Sequence, residues 1–194
     1  MSAAPLAPKV LLDEDAIAAT VARLASEIER NHPNGVVLVG VLKGALVFLA
    51  DLARAITAVP VTIDFLALSR YEPDSGRVRL LKDLDVDVTD RDVLIVEDLV
   101  DTGLTLAYLV RQIAERGAST VEVCTLLDRS KQRIVPLPLR YVGYEVDDQF
   151  VLGYGLQVGE RYRNVRVVAA GDRDELLADP DVYCASCYGP NRAV

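Results

Sequence analysis

The chain has 194 residues, of which 51% are hydrophobic, so it can bury one good core; we expect a single compact domain over residues 1–194 and exclude a disordered chain. The net charge of −8 argues weakly against a general nucleic-acid binder, because affinity for a phosphate backbone depends on clustered Lys and Arg. No stretch is apolar over the length of a membrane span and no secretory signal is evident, so we expect a soluble cytoplasmic protein.

The first third of the chain predicts an arm, two helices and two strands. Residues 1–12 form a loose arm, because Pro5 and Pro8 oppose regular structure. Asp13 can cap a helix that runs to about residue 30. An uninterrupted apolar run predicts a strand over residues 36–41. A second strand is predicted over 61–68, where Asp64 alternates with apolar neighbours, and a helix over 45–56 lies between the two. The polar segment 69–76 is typical of a mobile loop.

The rest of the chain continues the alternation of strands and helices. Residues 93–96 are too short for a buried helix and rich in β-branching, which predicts a strand covered on both faces. A helix over 104–116 follows, and further strands are predicted over 121–127, 141–144 and 165–170. This order predicts an α/β fold, with a doubly wound, mainly parallel sheet flanked by helices. We assign no chemistry to the tail, residues 171–194.

The single histidine and the three cysteines carry no predicted chemistry. His32 lies in the turn Asn-His-Pro-Asn-Gly, where we expect a solvated loop side chain. Cys124 falls inside an apolar strand and is expected to be a small buried hydrophobe. Cys184 and Cys187 form one C-x-x-C, which lacks the further ligands that a zinc site needs.

Acidic and hydroxylated residues follow the predicted strand 93–96. Glu97, Asp98 and Asp101 precede the turn 102–105, which opens a helix. Ligands of open α/β sheets bind beyond the carboxyl ends of the strands. The start of a helix presents backbone N–H groups to an anion, and adjacent carboxylates suit vicinal hydroxyls and Mg²⁺. The stretch therefore predicts a sugar-phosphate site; the alternative interpretation is a set of solvated loop acids.

This stretch resembles the phosphoribosyl pyrophosphate motif of type I phosphoribosyltransferases. The resemblance implies that Glu97 and Asp98 contact the ribose hydroxyls and help to hold Mg²⁺. It implies that Asp101 is the general base at the purine imidazole. It also implies a 5′-phosphate site formed by Thr102, Gly103, Leu104 and Thr105.

A second polar motif follows the strand 36–41. Leu42-Lys43-Gly44 stands directly before the next helix, and the alternative interpretation is that Lys43 reaches solvent while Gly44 eases the turn. Together with the first motif, this second motif narrows the resemblance to the hypoxanthine-guanine branch of the phosphoribosyltransferases. The resemblance then implies a cis peptide bond at Leu42–Lys43 and a pyrophosphate contact through Lys43 and Gly44 near a subunit interface. It further implies a small hood from the terminal segments and assembly as a homodimer or homotetramer.

The base side resembles the same branch, with departures. The resemblance implies that Phe150 stacks on the base, that the backbone of Val151 reads it, and that Arg163 binds pyrophosphate. Arg129 stands where the family has a Lys that reads the purine 6-oxo group, and these residues are not interchangeable. Gln157 stands where the family has an Asp that helps to hold the metal; a neutral amide supplies no charge.

The predicted loop 69–76 corresponds to a lid that the family closes with a Ser-Tyr pair. Tyr71 matches this pair, whereas Arg70 stands at the Ser position. Ser69 could substitute for the missing Ser through a shift of one residue.

The resemblance implies a purine salvage transferase that moves the 5-phosphoribosyl group from phosphoribosyl pyrophosphate to hypoxanthine or guanine. The departures at Arg70, Arg129 and Gln157 leave open the same reaction on another base, such as xanthine or a deazapurine. A non-catalytic, nucleotide-sensing regulator is a further alternative, which the intact acids disfavour.

Overall fold

The computed structural model describes residues 6–69 and 79–189. The chain divides into two compact units. We call Thr20–Asp147 the sheet unit, and Met1–Ala19 with Asp148–Val194 the terminal unit.

The described residues form strands and helices in the following order. The strands are β1 (Lys9–Leu12), β2 (Val36–Leu42), β3 (Val61–Leu68), β4 (Leu80–Lys82), β5 (Asp92–Val100), β6 (Thr120–Asp128), β7 (Tyr141–Glu145), β8 (Phe150–Leu152) and β9 (Val168–Gly171). The helices are α1 (Glu14–Asn31), α2 (Leu46–Ala55), α3 (Leu104–Ala114), α4 (Arg173–Ala178) and α5 (Cys184–Tyr188).

The sheet unit contains six strands in the order β4-β3-β2-β5-β6-β7. All neighbouring pairs are parallel except β3 with β4, which are antiparallel. The predicted mainly parallel α/β sheet is therefore confirmed, while β4 was not predicted. Because β2, β5 and β6 run parallel, the residues that follow them lie along one edge of the sheet.

Burial explains why the two central strands read as continuous apolar runs. In β5 the four residues from Val93 to Val96 are 0% exposed, and β2 is buried over nearly its whole length. A strand covered on both faces has no reason to alternate apolar with polar residues. The predicted bounds of β2, β3, β5 and β6 therefore agree with the structure to within a few residues.

Helix α1 begins where its capping residue predicts. The Asp13 Oδ1 accepts a hydrogen bond from the backbone N–H of Ala16 at 2.8 Å. Within the sheet unit Val21, Leu24 and Ile28 are buried, at the helical spacing seen in the sequence.

The terminal unit corrects the prediction of a loose N-terminal arm and shows two helices in the tail. Residues 9–12, predicted as part of a loose arm, form β1, which pairs antiparallel with β9 in the sheet β1-β9-β8. The tail 171–194, to which the sequence analysis assigns no chemistry, contains α4 and α5, whose Leu176 and Cys184 belong to a buried cluster. Local sequence patterns do not reveal β1, because its partner strand β9 lies about 160 residues away in the chain.

The prediction for His32 is wrong. The side chain is buried, with its Nδ1 3.3 Å from an Asp92 carboxylate oxygen. Its Nε2 lies 3.1 Å from the Tyr141 hydroxyl and 3.2 Å from a Glu122 carboxylate oxygen. The turn places His32 against residues of β5, β6 and β7, which are distant in the sequence. Cys124 is buried, as predicted.

Among the described residues, no helix is both long enough and apolar enough to cross a membrane.

Candidate active site

The carboxyl edge of the sheet unit collects the predicted polar residues from three strands. Lys43 and Gly44 follow β2, and Arg129 follows β6. Glu97 and Asp98 lie near the carboxyl end of β5. These segments are neighbours because β5 pairs with both β2 and β6. The sheet thus places residues as far apart in the sequence as Lys43 and Arg129 along one edge.

The two adjacent acids of β5 have different surroundings. The half-buried Glu97 lies beside Asp98, whose own Oδ1 accepts a 2.9 Å hydrogen bond from the Leu99 N–H. Desolvation, and then the charge of Asp98, raise the pKa of Glu97 well above its ordinary value. A cation bound at this pair would relieve that repulsion.

The Lys43–Gly44 turn lies directly against these acids. The peptide bond Leu42–Lys43 is cis, as the resemblance implied. A Cβ atom at Gly44 would overlap the carboxylate of Asp98, so the glycine allows the turn to approach the acid. Lys43 is exposed and therefore accessible to a ligand at this edge.

The predicted phosphate turn opens α3. Gly103 has a φ of 80°, in the left-handed region that glycine adopts without strain, and it is the residue before the first helical residue, Leu104. The N–H of Leu104 lies 3.4 Å from the Thr102 Oγ1. Leu104 and Thr105 are exposed. The turn therefore presents the start of an 11-residue helix to solvent.

Asp101 and Arg129 form an ion pair in this turn. The Arg129 Nη1 donates to the Asp101 Oδ1 at 2.9 Å. The side chain of Arg129 is 11% exposed and that of Asp101 is 43% exposed. The cation is thus held in place, while part of the Asp101 carboxylate faces solvent.

Sequence reasoning missed a second Arg–Asp pair beside the same turn. The Arg133 Nη2 donates to the buried Asp128 Oδ1. Burial raises the pKa of Asp128, and the nearby charge of Arg133 opposes this shift. The only local signal is an acid and a base five residues apart after a strand, which is not a specific pattern.

The remaining predicted residues belong to the terminal unit. Phe150 packs against the buried cluster of this unit, and Val151 pairs with Ala170. The Gln157 Oε1 accepts a 2.5 Å hydrogen bond from the N–H of Glu160. The side-chain carbonyl of Gln157 therefore closes a turn with Glu160.

Arg163 is held by its own unit. Its Nη1 donates to the carbonyl of Gly155 at 2.7 Å, and its Nη2 lies 3.8 Å from a Glu160 carboxylate oxygen. The buried Nε has no hydrogen-bond partner within residues 6–69 and 79–189. Such a donor is suited to an anionic ligand.

Of the predicted lid residues, only Ser69 lies within the described part of the chain. Its Oγ accepts a 3.0 Å hydrogen bond from the N–H of Arg79, and its own N–H donates to the Arg79 carbonyl at 2.8 Å. Arg70 and Tyr71 lie outside the described residues.

No group of three or more His, Cys, Asp or Glu side chains within the described ranges is arranged to hold a metal ion. Glu97 and Asp98 supply two carboxylates. This number fits Mg²⁺, which often binds one or two carboxylates and completes its shell with waters and substrate phosphates.

Comparison with known proteins agrees with this geometry. A sequence model of the phosphoribosyl transferase domain matches residues 9–158. The chain belongs to the phosphoribosyltransferase family. The resemblance inferred from the motifs is confirmed.

Similar phosphoribosyltransferases carry a more specific name. The hypoxanthine-guanine phosphoribosyltransferase of Mycobacterium avium is 42% identical over 184 residues, which cover 90% of this chain and 87% of that protein. The enzyme of the same name from Bacillus subtilis strain 168 is 44% identical over 161 residues, or 81% of this chain and 89% of the relative.

A solved structure extends the similarity to the fold. The crystal structure of a hypoxanthine-guanine phosphoribosyltransferase from Bacillus anthracis has a TM-score of 0.82 and 39% identity. The match covers 86% of this chain and 100% of that one. The chain thus has the fold of the hypoxanthine-guanine branch of the phosphoribosyltransferases.

Proposed function

We propose that this phosphoribosyltransferase is a purine salvage enzyme. It transfers the 5-phosphoribosyl group from phosphoribosyl pyrophosphate to hypoxanthine or guanine and releases IMP or GMP with pyrophosphate. The observation that carries the proposal is the complete sugar-phosphate edge of the sheet unit, where Glu97, Asp98 and Asp101 precede a glycine turn at the start of a helix.

The ribose and its 5′-phosphate bind along β5 and the turn that follows. Glu97 and Asp98 accept hydrogen bonds from the ribose hydroxyls. The phosphate takes backbone N–H donors and the Thr hydroxyls at the start of α3; the residues are Thr102, Gly103, Leu104 and Thr105. The helix dipole adds a favourable interaction with the negative charge.

Pyrophosphate is the leaving group, and cationic side chains stabilise it. Lys43 and Arg163 supply positive charge, and Gly44 allows the backbone to approach closely. Negative charge accumulates on pyrophosphate as the bond from the anomeric carbon to its oxygen breaks. Fixed cations therefore stabilise the transition state more than the ground state.

Asp101 is the general base in this proposal. As a purine nitrogen forms its bond to the anomeric carbon, the imidazole ring loses a proton, which Asp101 accepts. Arg129 contacts the 6-oxo group and orients Asp101 through their 2.9 Å ion pair. Phe150 stacks on the base and the backbone of Val151 reads its edge.

We propose Mg²⁺ as the cofactor, held by Glu97 and Asp98. When bound, it neutralises charge on the pyrophosphate group. Desolvation and then the charge of Asp98 raise the pKa of Glu97, and a bound cation would offset both effects, which supports this assignment. Gln157 is not proposed as a ligand, since its carbonyl closes a turn with Glu160.

A homodimer or homotetramer is part of the proposal. It is supported by Leu46, which is 50% exposed and begins the helix after the Lys43 turn. Ser69, Arg70 and Tyr71 are proposed to belong to a lid. We also propose a cytoplasmic location, because the charged substrate is a water-soluble metabolite.

A second candidate is the same reaction on a different oxopurine or a deazapurine. Two observations favour it. Arg129 already uses one arm of its guanidinium on Asp101, which changes the donors available to a base edge. The Gln157 carbonyl is engaged within its own turn. Both residues stand at positions where the sequence departs from the family pattern.

The test is pyrophosphate release by purified protein with phosphoribosyl pyrophosphate, Mg²⁺ and a panel of hypoxanthine, guanine, xanthine, adenine and a deazaguanine. Release with hypoxanthine or guanine supports salvage. Release with only another base moves the assignment to the second candidate. No release with any base, despite ligand binding, favours a non-catalytic regulator.

Asp101→Asn tests the proposed base. The amide keeps a hydrogen-bond acceptor for Arg129 but cannot take the proton, so turnover should fall about 100-fold or more while phosphoribosyl pyrophosphate still binds. Asp51→Asn, on the exposed surface of α2, is the matched control. Unchanged turnover in Asp101→Asn would remove Asp101 from the mechanism.

A further inference from the structure

The segment 129–135, which follows β6, is hydrogen-bonded at its start to the last residue of β5 and at its end to the phosphate turn. At its start, the N–H of Arg129 donates to the Val100 carbonyl at 2.9 Å. At its end, the N–H groups of Ile134 and Val135 both donate to the Thr102 carbonyl, at 3.0 and 3.2 Å. The segment therefore spans the turn that begins α3.

Arg133 fills the space between this segment and the turn. A Cβ atom at Gly103 would lie 3.0 Å from the Arg133 Cδ and 3.2 Å from its Nη1. The Arg133 side chain thus occupies the side of Gly103 on which any other residue would carry its Cβ. Any larger residue at position 103 would displace Arg133, in addition to the strain of the left-handed φ of 80°.

Arg133 is fixed by a buried partner. Its Nη2 donates to Asp128, and the two side chains are 15% and 10% exposed. The buried Nη1 has no hydrogen-bond partner in the part of the chain that the structure describes. A guanidinium that leaves one buried donor unsatisfied is costly if it serves packing alone, since an apolar side chain would fill the same space without this cost.

We propose that Arg133 is a positioning residue for the 5′-phosphate turn, an inference that rests on the proposed function. Anchored by Asp128, the guanidinium holds Gly103 so that the N–H groups at the start of α3 point at the phosphate. A glycine turn would otherwise sample several conformations, and donors must be fixed closely to stabilise an anion.

The experiment compares ligands that differ only in the 5′-phosphate. Isothermal titration calorimetry measures the affinity of the whole chain for IMP and for inosine, and likewise for GMP and for guanosine. Each nucleotide is then compared with its nucleoside. In Arg133→Met, the affinity for the nucleotides should fall about tenfold to 100-fold while that for the nucleosides stays the same. In kinetics, the KM for phosphoribosyl pyrophosphate should rise and the KM for the base should not.

Control variants separate positioning from folding. Arg133→Met leaves Asp128 buried without its cation, so Asp128→Asn/Arg133→Met removes both charges and should show the same nucleotide-specific loss. Arg133→Lys, which keeps the charge, should recover part of the affinity. Arg111→Met changes an arginine on α3 that is 71% exposed and should leave all four affinities unchanged. Urea denaturation verifies that each variant is folded.

The outcomes distinguish this inference from the proposed function. If the wild-type protein itself shows no preference for nucleotides over nucleosides, the proposed phosphate site fails, and the role of Arg133 fails with it. If the wild type shows the preference and folded Arg133→Met retains it in full, the proposal for Arg133 alone is overturned. Equal losses for nucleotides and nucleosides would also overturn it, because they indicate a general structural role.

Discussion

Replacing Gly44 by Ala should disable the site through one defined collision. Gly44 has a backbone conformation open to other residues, so the new methyl group causes no backbone strain. Its Cβ, however, would occupy the position of the Asp98 carboxylate, which has to move. The variant therefore perturbs Asp98 without changing its charge.

The structure sets the expected size of the effect. The new Cβ would lie 2.0 Å from the Asp98 Oδ2, so this oxygen must shift by roughly 1.4 Å to restore an ordinary contact. A misplacement of about 1 Å can already cost about 100-fold in rate. This factor corresponds to about 3 kcal/mol of transition-state stabilisation. A side chain forced away from its preferred rotamer costs only about 1 kcal/mol of folding stability. Activity should therefore fall far more than stability.

The assay is a double-mutant cycle on pyrophosphate release. It compares Gly44→Ala, Asp98→Ala and the double variant, with urea denaturation to verify folding. If the methyl group acts through Asp98, the double variant is no slower than Asp98→Ala alone. Fully additive losses, or wild-type activity in Gly44→Ala, would refute the reasoning.

Three predictions concern stability and are measured by urea denaturation. Desolvation opposes ionisation of the buried Asp64, but hydrogen bonds from backbone N–H groups and a lysine outweigh it and lower its pKa. The ionised carboxylate of Asp64 therefore stabilises the fold above about pH 4, the ordinary pKa of an Asp, and this stabilisation is lost as the pH falls through the lower pKa of the folded protein. The free energies of unfolding of wild type and Asp64→Asn should differ by about 1–3 kcal/mol at pH 7 and converge in acid. His32→Gln should cost about 1–3 kcal/mol, since it breaks contacts to Asp92 and Glu122, and leave the KM values unchanged; an unaltered midpoint would contradict the buried placement. Asp13→Ala should cost about 1 kcal/mol through loss of the helix cap, and no loss would argue against the 2.8 Å capping bond.

Local patterns were sufficient wherever the structure depends on neighbours in the chain. The apolar run at residues 93–96 predicted β5, because a strand covered on both faces must be apolar throughout. Asp13 predicted the start of α1, because its side chain accepts a hydrogen bond from the backbone N–H three residues later in the chain. The polar residues at the carboxyl ends of β2, β5 and β6 predicted a ligand edge, because parallel strands end on the same side.

Local sequence patterns carry no information about contacts between residues far apart in the chain. His32 looked like a solvated turn residue, yet Asp92, Glu122 and Tyr141 surround it from other strands. Residues 9–12 looked like a loose arm because β9, their partner, lies at the opposite end of the chain. The short helices α4 and α5 have weak local signals, and packing in the terminal unit stabilises them.

The sequence by itself determined the family, the mainly parallel sheet and the acids and glycine of the phosphate turn, because each depends on residue types at short spacing. Only the tertiary structure decided which side chains are paired. It joined Asp101 to Arg129, packed Asp98 against Gly44 and placed Arg133 across Gly103. These contacts depend on how neighbouring strands align at one edge of the sheet, and no local pattern in a single sequence records that alignment.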